Sequence, residues 1–415
     1  MNPTTERRQF LQFAAGCGLS FLIPGMDLHA AAKRGTERHK SLVLVWLDGG
    51  PSQLETWDPH PGSLVGGPTR AIQTVVPGVE IAQDFPRIAE QLQHLSIVRS
   101  LVSKEGDHAR GAYAVKTGYR PDPVLRHPSL GAIMAHEIPN PDLEIPQIIS
   151  LGHNQWPSRG GYLGNQYDAF QVRGYGREAA RREAKDARLE RRLDNLKVLT
   201  QSFANGRQAT VAGTLHDEHV RTVITMLNSE HVQAFQIDDE PTALRSAYGD
   251  SEFGKACLVA RRLIEVGVTV VEVSLSGFDT HERNFSQVTN LATQLDPGLA
   301  ALVADLVARD LWESTVVLCL GEFGRTPKIN RKEGRDHWPT GFSCLVGGGG
   351  LRGSAVVGAT DPTGRESEPQ DPATVADLYA TILRAAGIDP AHQVITPIGR
   401  PMKFSEGTPI KELST

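Results

Sequence analysis

Three apolar runs in this chain each end in a carboxylate: LVLVWLD at Asp48, VTVVEVSLSGFDTH at Asp279 and TVVLCLGE at Glu322. A short, continuous Val- and Leu-rich run without alternation is the pattern of a strand buried on both faces, and such strands build parallel sheets covered by helices on both sides. In these sheets ligands bind beyond the carboxyl ends of the strands. Carboxylates at three strand ends therefore predict one shared site. His281, two residues after Asp279, and Asp336-His337 in GRDHW add donors, so the candidate set runs from position 48 to position 337.

The rest of the chain supplies the remaining layers. Strands are predicted at 41–47, 95–101, 147–151, 268–275, 316–320 and 342–346. Helical periodicity marks 108–117, stopped by Gly118, and FGKACLVARRLIEVG at 253–267, closed by Gly267. It also marks 291–311 and VADLYATILRAAGI at 375–388. Strand and helix alternate, so the expected fold class is α/β, a three-layer α/β/α sandwich with a mostly parallel central sheet. One domain is expected over 33–415, with a loop and helical insertion about 121–235, because 121–176 is rich in Pro, Gly and Asn and 211–233 reads as helical.

The first 32 residues read as an address. Arg7-Arg8 precedes Phe10-Leu11, a mostly apolar stretch covers 13–26, and Ala30-Ala31-Ala32 offers a cleavage site. These are the parts of a twin-arginine signal, so the expected partner is the twin-arginine export machinery and the expected location is periplasmic or extracellular. The apolar stretch is short and interrupted by Pro24, so no transmembrane segment is expected in the mature chain. The mature chain keeps Cys257, Cys319 and Cys344, an odd number without a CxxC, and the last two sit in apolar runs. They read as small core residues rather than a disulfide framework. The charged stretch 178–197 reads as a solvated helix, because Glu and Asp neutralise its arginines; with a net charge of −5, no nucleic-acid partner is expected.

Imidazole nitrogen with carboxylate oxygen is a metal-ligand chemistry. An isolated Asp-x-His is often only a surface hydrogen-bond pair, but here all three carboxylates fall at strand ends. Asp48, Asp279, His281, Glu322, Asp336 and His337 are the candidate ligands for divalent metals, expected as two ions drawn from zinc, manganese, calcium or magnesium. Two such ions about 4 Å apart clamp the attacking and leaving oxygens of an anionic ester.

The order of strand-Asp48, GAYAVKTGYRP, Asp279/His281, strand-Glu322 and His337 resembles the alkaline phosphatase and sulfatase superfamily. More closely, the DGGPSQ, FGKACLVARRLIEVG, FDTH, GEFGRTP, GRDHW and GGGGLRG segments resemble an exported branch catalogued as a domain of unknown function, over nearly all of 40–390. The resemblance implies an alkaline-phosphatase-like fold. It implies one metal site from Asp279, His281 and His337 and another from Asp48 and Glu322, with Asp336 near it. The position that carries Cys, Ser or Thr in relatives is His108 here, within GDHARG. His108 is therefore a candidate catalytic group, a metal ligand, or a residue capping the helix that follows. Ser52 is the hydroxyl beside a candidate ligand, able to reach a metal or to stabilise its turn. Arg110 and Arg325 are candidates to hold a substrate oxyanion, or structural ion-pair partners. His153, Asn154 and Trp156 lie in a loop that either borders a sugar site or anchors itself. The expected function is an exported metal-dependent hydrolase acting on a phosphate or sulfate ester of a small molecule or glycan. The alternative is a non-catalytic binding or surface-assembly protein that keeps the fold and a metal.

Overall fold

Side chains along the first apolar run alternate between two equally buried faces. In the computed structural model it is strand β1 (Ser41–Asp48). Leu42, Leu44 and Trp46 enter one core cluster, while Val43, Val45 and Leu47 enter the other. Neither face meets water, which is why the run carries no polar alternation.

The structure describes residues 38–174 and 229–414. The signal segment 1–32, the charged helix read at 178–197 and most of the helical reading at 211–233 lie outside the described residues. The remaining major elements are β2 (Leu95–Val102), α1 (His108–Thr117), α2 (Leu130–Glu137), β3 (Ile148–Leu151), β4 (Phe170–Val172) and α3 (Glu252–Glu265). They continue with β5 (Val270–Ser276), α4 (Asn284–Ala308), β6 (Thr315–Leu320), β7 (Phe342–Gly348), β8 (Val356–Val357), β9 (Ala373–Thr374) and α5 (Val375–Ala385).

The central sheet is nine-stranded, ordered β8-β2-β7-β6-β1-β5-β3-β4, with β9 also on β2. All of its pairings are parallel except those of β7, which runs antiparallel to both β2 and β6. The sequence pattern of strand and helix in strict alternation does not hold at this point. No helix lies between β6 and β7, and an antiparallel neighbour needs no crossover helix. That freedom lets the whole of 321–341 be used as a site loop. The stretch read as an insertion at 121–235 also does structural duty in its described part, because it supplies α2 and the strands β3 and β4 at one side of the sheet.

Helices α3 and α4 cover one face and α1, α2 and α5 the other, giving three layers. By length and composition α4 could cross a membrane, but 56% of its most apolar window is buried inside the protein, against α3 and the sheet. It is a core helix. Cys257, Cys319 and Cys344 are free and buried, and burial pushes their thiols up, as expected of inert core residues.

Candidate metal centre

Strands β6, β1 and β5 are consecutive and parallel, with Asp48 opposite Ser276 and Trp46 opposite Leu320. The turns that follow them therefore leave the sheet side by side. Gly49 makes that convergence possible. Its φ is +109°, and a Cβ there would lie 2.4 Å from the Asp279 nitrogen, so only glycine lets the β1 turn approach the β5 turn so closely. Gly334 does the same for the third loop, where a Cβ would sit 1.9 Å from the His281 carbonyl oxygen.

Three imidazoles surround the carboxylate of Asp279. His281 Nε2 and His337 Nε2 each lie 3.2 Å from Asp279 Oδ1 and 3.0 Å from one another. His108 Nε2 lies 3.4 Å from the other oxygen, Oδ2. The opposite nitrogen of each ring faces an acceptor: His281 Nδ1 is 3.0 Å from Asp336 Oδ1, His337 Nδ1 is 2.7 Å from the Gly106 carbonyl, and His108 Nδ1 is 2.8 Å from Glu322 Oε1. An acceptor at Nδ1 requires the proton there, so in each neutral ring the Nε2 lone pair points inward at Asp279. Outer acceptors that fix the tautomer in this way are the usual support of metal-ligating histidines.

The donor set fits a cation. Two imidazole lone pairs 3.0 Å apart beside a carboxylate repel unless positive charge lies between them. The 3.0, 3.2 and 3.2 Å sides of the triangle are close to the edges, about 3.3 Å, of a tetrahedron built on bonds of about 2.0–2.1 Å to nitrogen and oxygen. Among the described residues, donor atoms of His108, Asp279 and His337 also lie within 4.8 Å of one another. Glu322 Oε2 is buried without a hydrogen-bond partner, while Oε1 accepts from Gly49 N at 3.0 Å and faces His108.

The remaining expected site residues divide. Asp48 ends β1 at the same sheet edge, half-buried, where its carboxylate accepts from Trp46 Nε1 at 3.4 Å; it is not part of the histidine cluster. Arg325 is fully buried, so it faces no incoming substrate. It donates to Asp279 Oδ1 at 2.7 Å, to the Gly50 and Arg335 carbonyls, and closely to the Gly49 carbonyl, so it positions Asp279 instead. Arg110 turns to Glu105 with Nε and Nη2 at 2.6 and 3.1 Å, an ion pair shared with Arg120 and apart from the cluster. Ser52 is fully buried with an unpartnered hydroxyl. The α1 cap is Asp107, whose carboxylate accepts from Arg110 N at 3.1 Å, so His108 does not serve that purpose. Asn154 is buried and Trp156 half-buried beside a separate cavity, while His153 is exposed.

Charges at the centre follow from these contacts. Burial works against ionised Asp279, but the hydrogen bond from Arg325 and its positive charge hold the pKa down at about 2. The hydrogen bond to Glu322 raises His108 above the ordinary imidazole value, whereas burial lowers His337. Asp336 is lowered by its bond to His281.

Sequence reading missed the clamp that holds the loops together. Glu55, buried after β1, takes Arg335 Nε and Nη2 at 2.9 and 2.7 Å and Asn284 Nδ2 at 2.7 Å, and Asn284 in turn accepts from Thr280 at 2.5 Å. The GRDHW loop is thereby locked to the DTH loop. The only trace in the sequence is that an arginine stands directly before Asp336-His337.

A family model described as protein of unknown function (DUF1501) matches residues 39–414. No curated protein matches the chain. Among solved structures, a protein in the alkaline phosphatase superfamily from Vibrio parahaemolyticus is 11% identical with a TM-score of 0.42, covering 85% of this chain and 67% of that one. The lipoteichoic acid synthase LtaP from Listeria monocytogenes is 12% identical with a TM-score of 0.42, over 92% of this chain and 77% of that one. The C-terminal periplasmic domain of EcEptC from Escherichia coli, solved in complex with Zn, is 11% identical with a TM-score of 0.41, over 91% and 92% of the two chains.

Proposed function

This chain belongs to the DUF1501 family, and we propose that it is an exported, metal-dependent hydrolase of phosphate or sulfate esters. The observation that carries the reading is the ring of inward Nε2 atoms around Asp279, each imidazole fixed from behind by its own acceptor. Asp279, His281 and His337 would hold the metal, with Asp336 orienting His281 and Arg325 orienting Asp279. When bound, the metal supplies Lewis acidity that draws electron density from the ester's non-bridging oxygen. Asp48 and Glu322 stand at the same sheet edge as supports for a second ion, Glu322 with one oxygen still unpartnered.

Hydrolysis consumes one water and releases an alcohol whose oxygen needs a proton. His108 is suited to give it. Its ring is about a third exposed, Glu322 keeps it protonated to higher pH than an ordinary imidazole, and Nε2 sits beside the carboxylate that would mark the ester's place. The test is metal analysis on natively exported protein together with a screen of chromogenic phosphate monoesters, phosphodiesters and sulfate esters. Stoichiometric metal and turnover of one ester class are expected. Metal without turnover of any class favours the alternative, a binding or surface-assembly protein. A specific observation points that way too, since the Ser52 hydroxyl near Asp48 is sealed from solvent.

Export by the twin-arginine route is supported by Arg7-Arg8, Phe10-Leu11 and Ala30-Ala31-Ala32. Replacing both arginines with lysine should leave the full-length precursor in the cytoplasm; normal processing of that variant would sink the assignment.

A further inference from the structure

A cavity of about 650 Å³ runs beside α1, within the size range of small-ligand sites. Ala109, Ala112, Tyr113 and Lys116 line it at i, i+3, i+4 and i+7, one continuous helical face that starts at the residue after His108. The facing wall is the loop that carries Gln155 and Trp156.

This wall is built with unusual care. Glu272, fully buried in the middle of β5, accepts from Lys116 Nζ at 2.7 Å, Ser158 Oγ at 2.6 Å, Ser158 N at 3.0 Å and Asn154 Nδ2 at 3.1 Å. Asn154 in turn accepts from Trp156 N at 2.9 Å, and Lys116 Nζ stands 4.5 Å from the Trp46 ring centre. A buried ion pair is seldom the most stable filling for a core, where apolar residues of the same volume do as well or better. What this one does is fix the helix wall and the Trp156 loop to a single rigid strand, so the cavity is formed before any ligand arrives.

The lining mixes polar and apolar groups and is balanced in charge. Lys116 is neutralised by Glu272 and Arg159 by Asp168 at 2.8 Å, while Arg126 and Asp122 share the exposed rim. Burial keeps His127 below the ordinary imidazole value. A polyanion would find as much repulsion as attraction here. A molecule with many hydroxyls, each both donor and acceptor, and an apolar C–H face to lie against Trp156, matches both aspects of the wall. We propose that this cavity is a binding pocket for a neutral saccharide segment. It enlarges the hydrolase reading, because it places a sugar beside His108, yet a saccharide would be held there whether or not the centre turns it over.

The test uses the mature chain, a neutral glycan array and titration calorimetry with the neutral trisaccharides maltotriose, cellotriose, xylotriose and tri-N-acetylchitotriose. Saturable binding of at least one neutral glycan is expected. Trp156→Ala should weaken it about tenfold, the size of one aromatic contact, and Trp156→Phe should largely restore it. Gln155→Ala, on an exposed side chain that does not threaten folding, should weaken it about 2- to 10-fold. His281→Ala should leave glycan binding in place while lowering metal content, which separates this pocket from the metal centre. No saturable binding across the array, binding of charged glycans alone, or binding indifferent to both Trp156→Ala and Gln155→Ala would overturn it.

Discussion

Asp279→Asn should strip the centre of metal, abolish any ester hydrolysis and bring the melting temperature below that of the chelated wild type. The substitution keeps the shape of the side chain but removes the charge on which three imidazoles and one guanidinium converge. Two costs add. An ion present at about 1,000 times its dissociation constant stabilises the fold by about 4 kcal/mol, and that contribution disappears. Arg325, fully buried, also loses its anionic partner, a further cost that stays below the about 3–5 kcal/mol of a pair buried on both sides because Asp279 is half exposed. Acid should mimic the mutation through a different group. Asp279, held at about 2, stays ionised wherever histidines titrate, so protons compete with the metal at the imidazoles. Metal should leave as acid protonates the imidazoles, at higher pH than protonation of the Asp279 carboxylate requires. Wild-type protein without stoichiometric metal, or an Asp279→Asn variant that retains it, would remove the centre from consideration.

His108→Ala should lower kcat about 100- to 10,000-fold with little change in KM, the range for losing a general acid or base. The loss should be greatest for alkyl esters, whose leaving oxygen cannot depart without a proton, and smallest for nitrophenyl esters, whose leaving group tolerates a negative charge. Glu322→Gln gives a second readout. The acid must be protonated, and Glu322 raises the pKa of His108. Without that carboxylate the proton is lost at lower pH, so the alkaline limb of the rate profile should move toward acid. A structural role for His108 would move neither the leaving-group dependence nor the limb. Equal turnover by wild type and His108→Ala on an alkyl ester would take His108 out of the chemistry.

How much of this was legible beforehand depended on whether the signal was local. Strand runs such as 41–47 and 316–320 could be read because two-sided burial writes itself into consecutive residues. The observed strands, Ser41–Asp48 and Thr315–Leu320, differ from them by one residue at one end. Helix α4 starts at Asn284, seven positions before the periodic pattern at 291, because its first turns are more polar and are held by the Glu55 clamp through Asn284. The reversed direction of β7 left no mark, since one strand has the same composition either way up. The histidines could be named as donors, but not the identity of their outer acceptors. Gly106, Asp336 and Glu322 become partners only once three loops meet. For Arg325 the sequence leaves two readings open, a substrate-holding cation or an ion-pair partner; burial against Asp279, which only the tertiary fold decides, favours the second. Glu272 was visible as a lone charge in an apolar strand, and that anomaly was the clue to the pocket that went unread.

The loops that meet at Asp279 also set an order of events. His108 and Glu322 are 214 residues apart in the chain, and His281 and His337 are 56 apart. Closing loops of that size must be accomplished before the contacts return any free energy. An unfolded chain therefore holds no fragment of the centre beyond the local pairs Asp279/His281 and Asp336/His337, and an ion cannot template the fold from within. Uptake of the proposed metal would wait until the sheet is complete, so the ion plentiful in the compartment where folding ends would join ligand type and geometry in deciding which metal is bound.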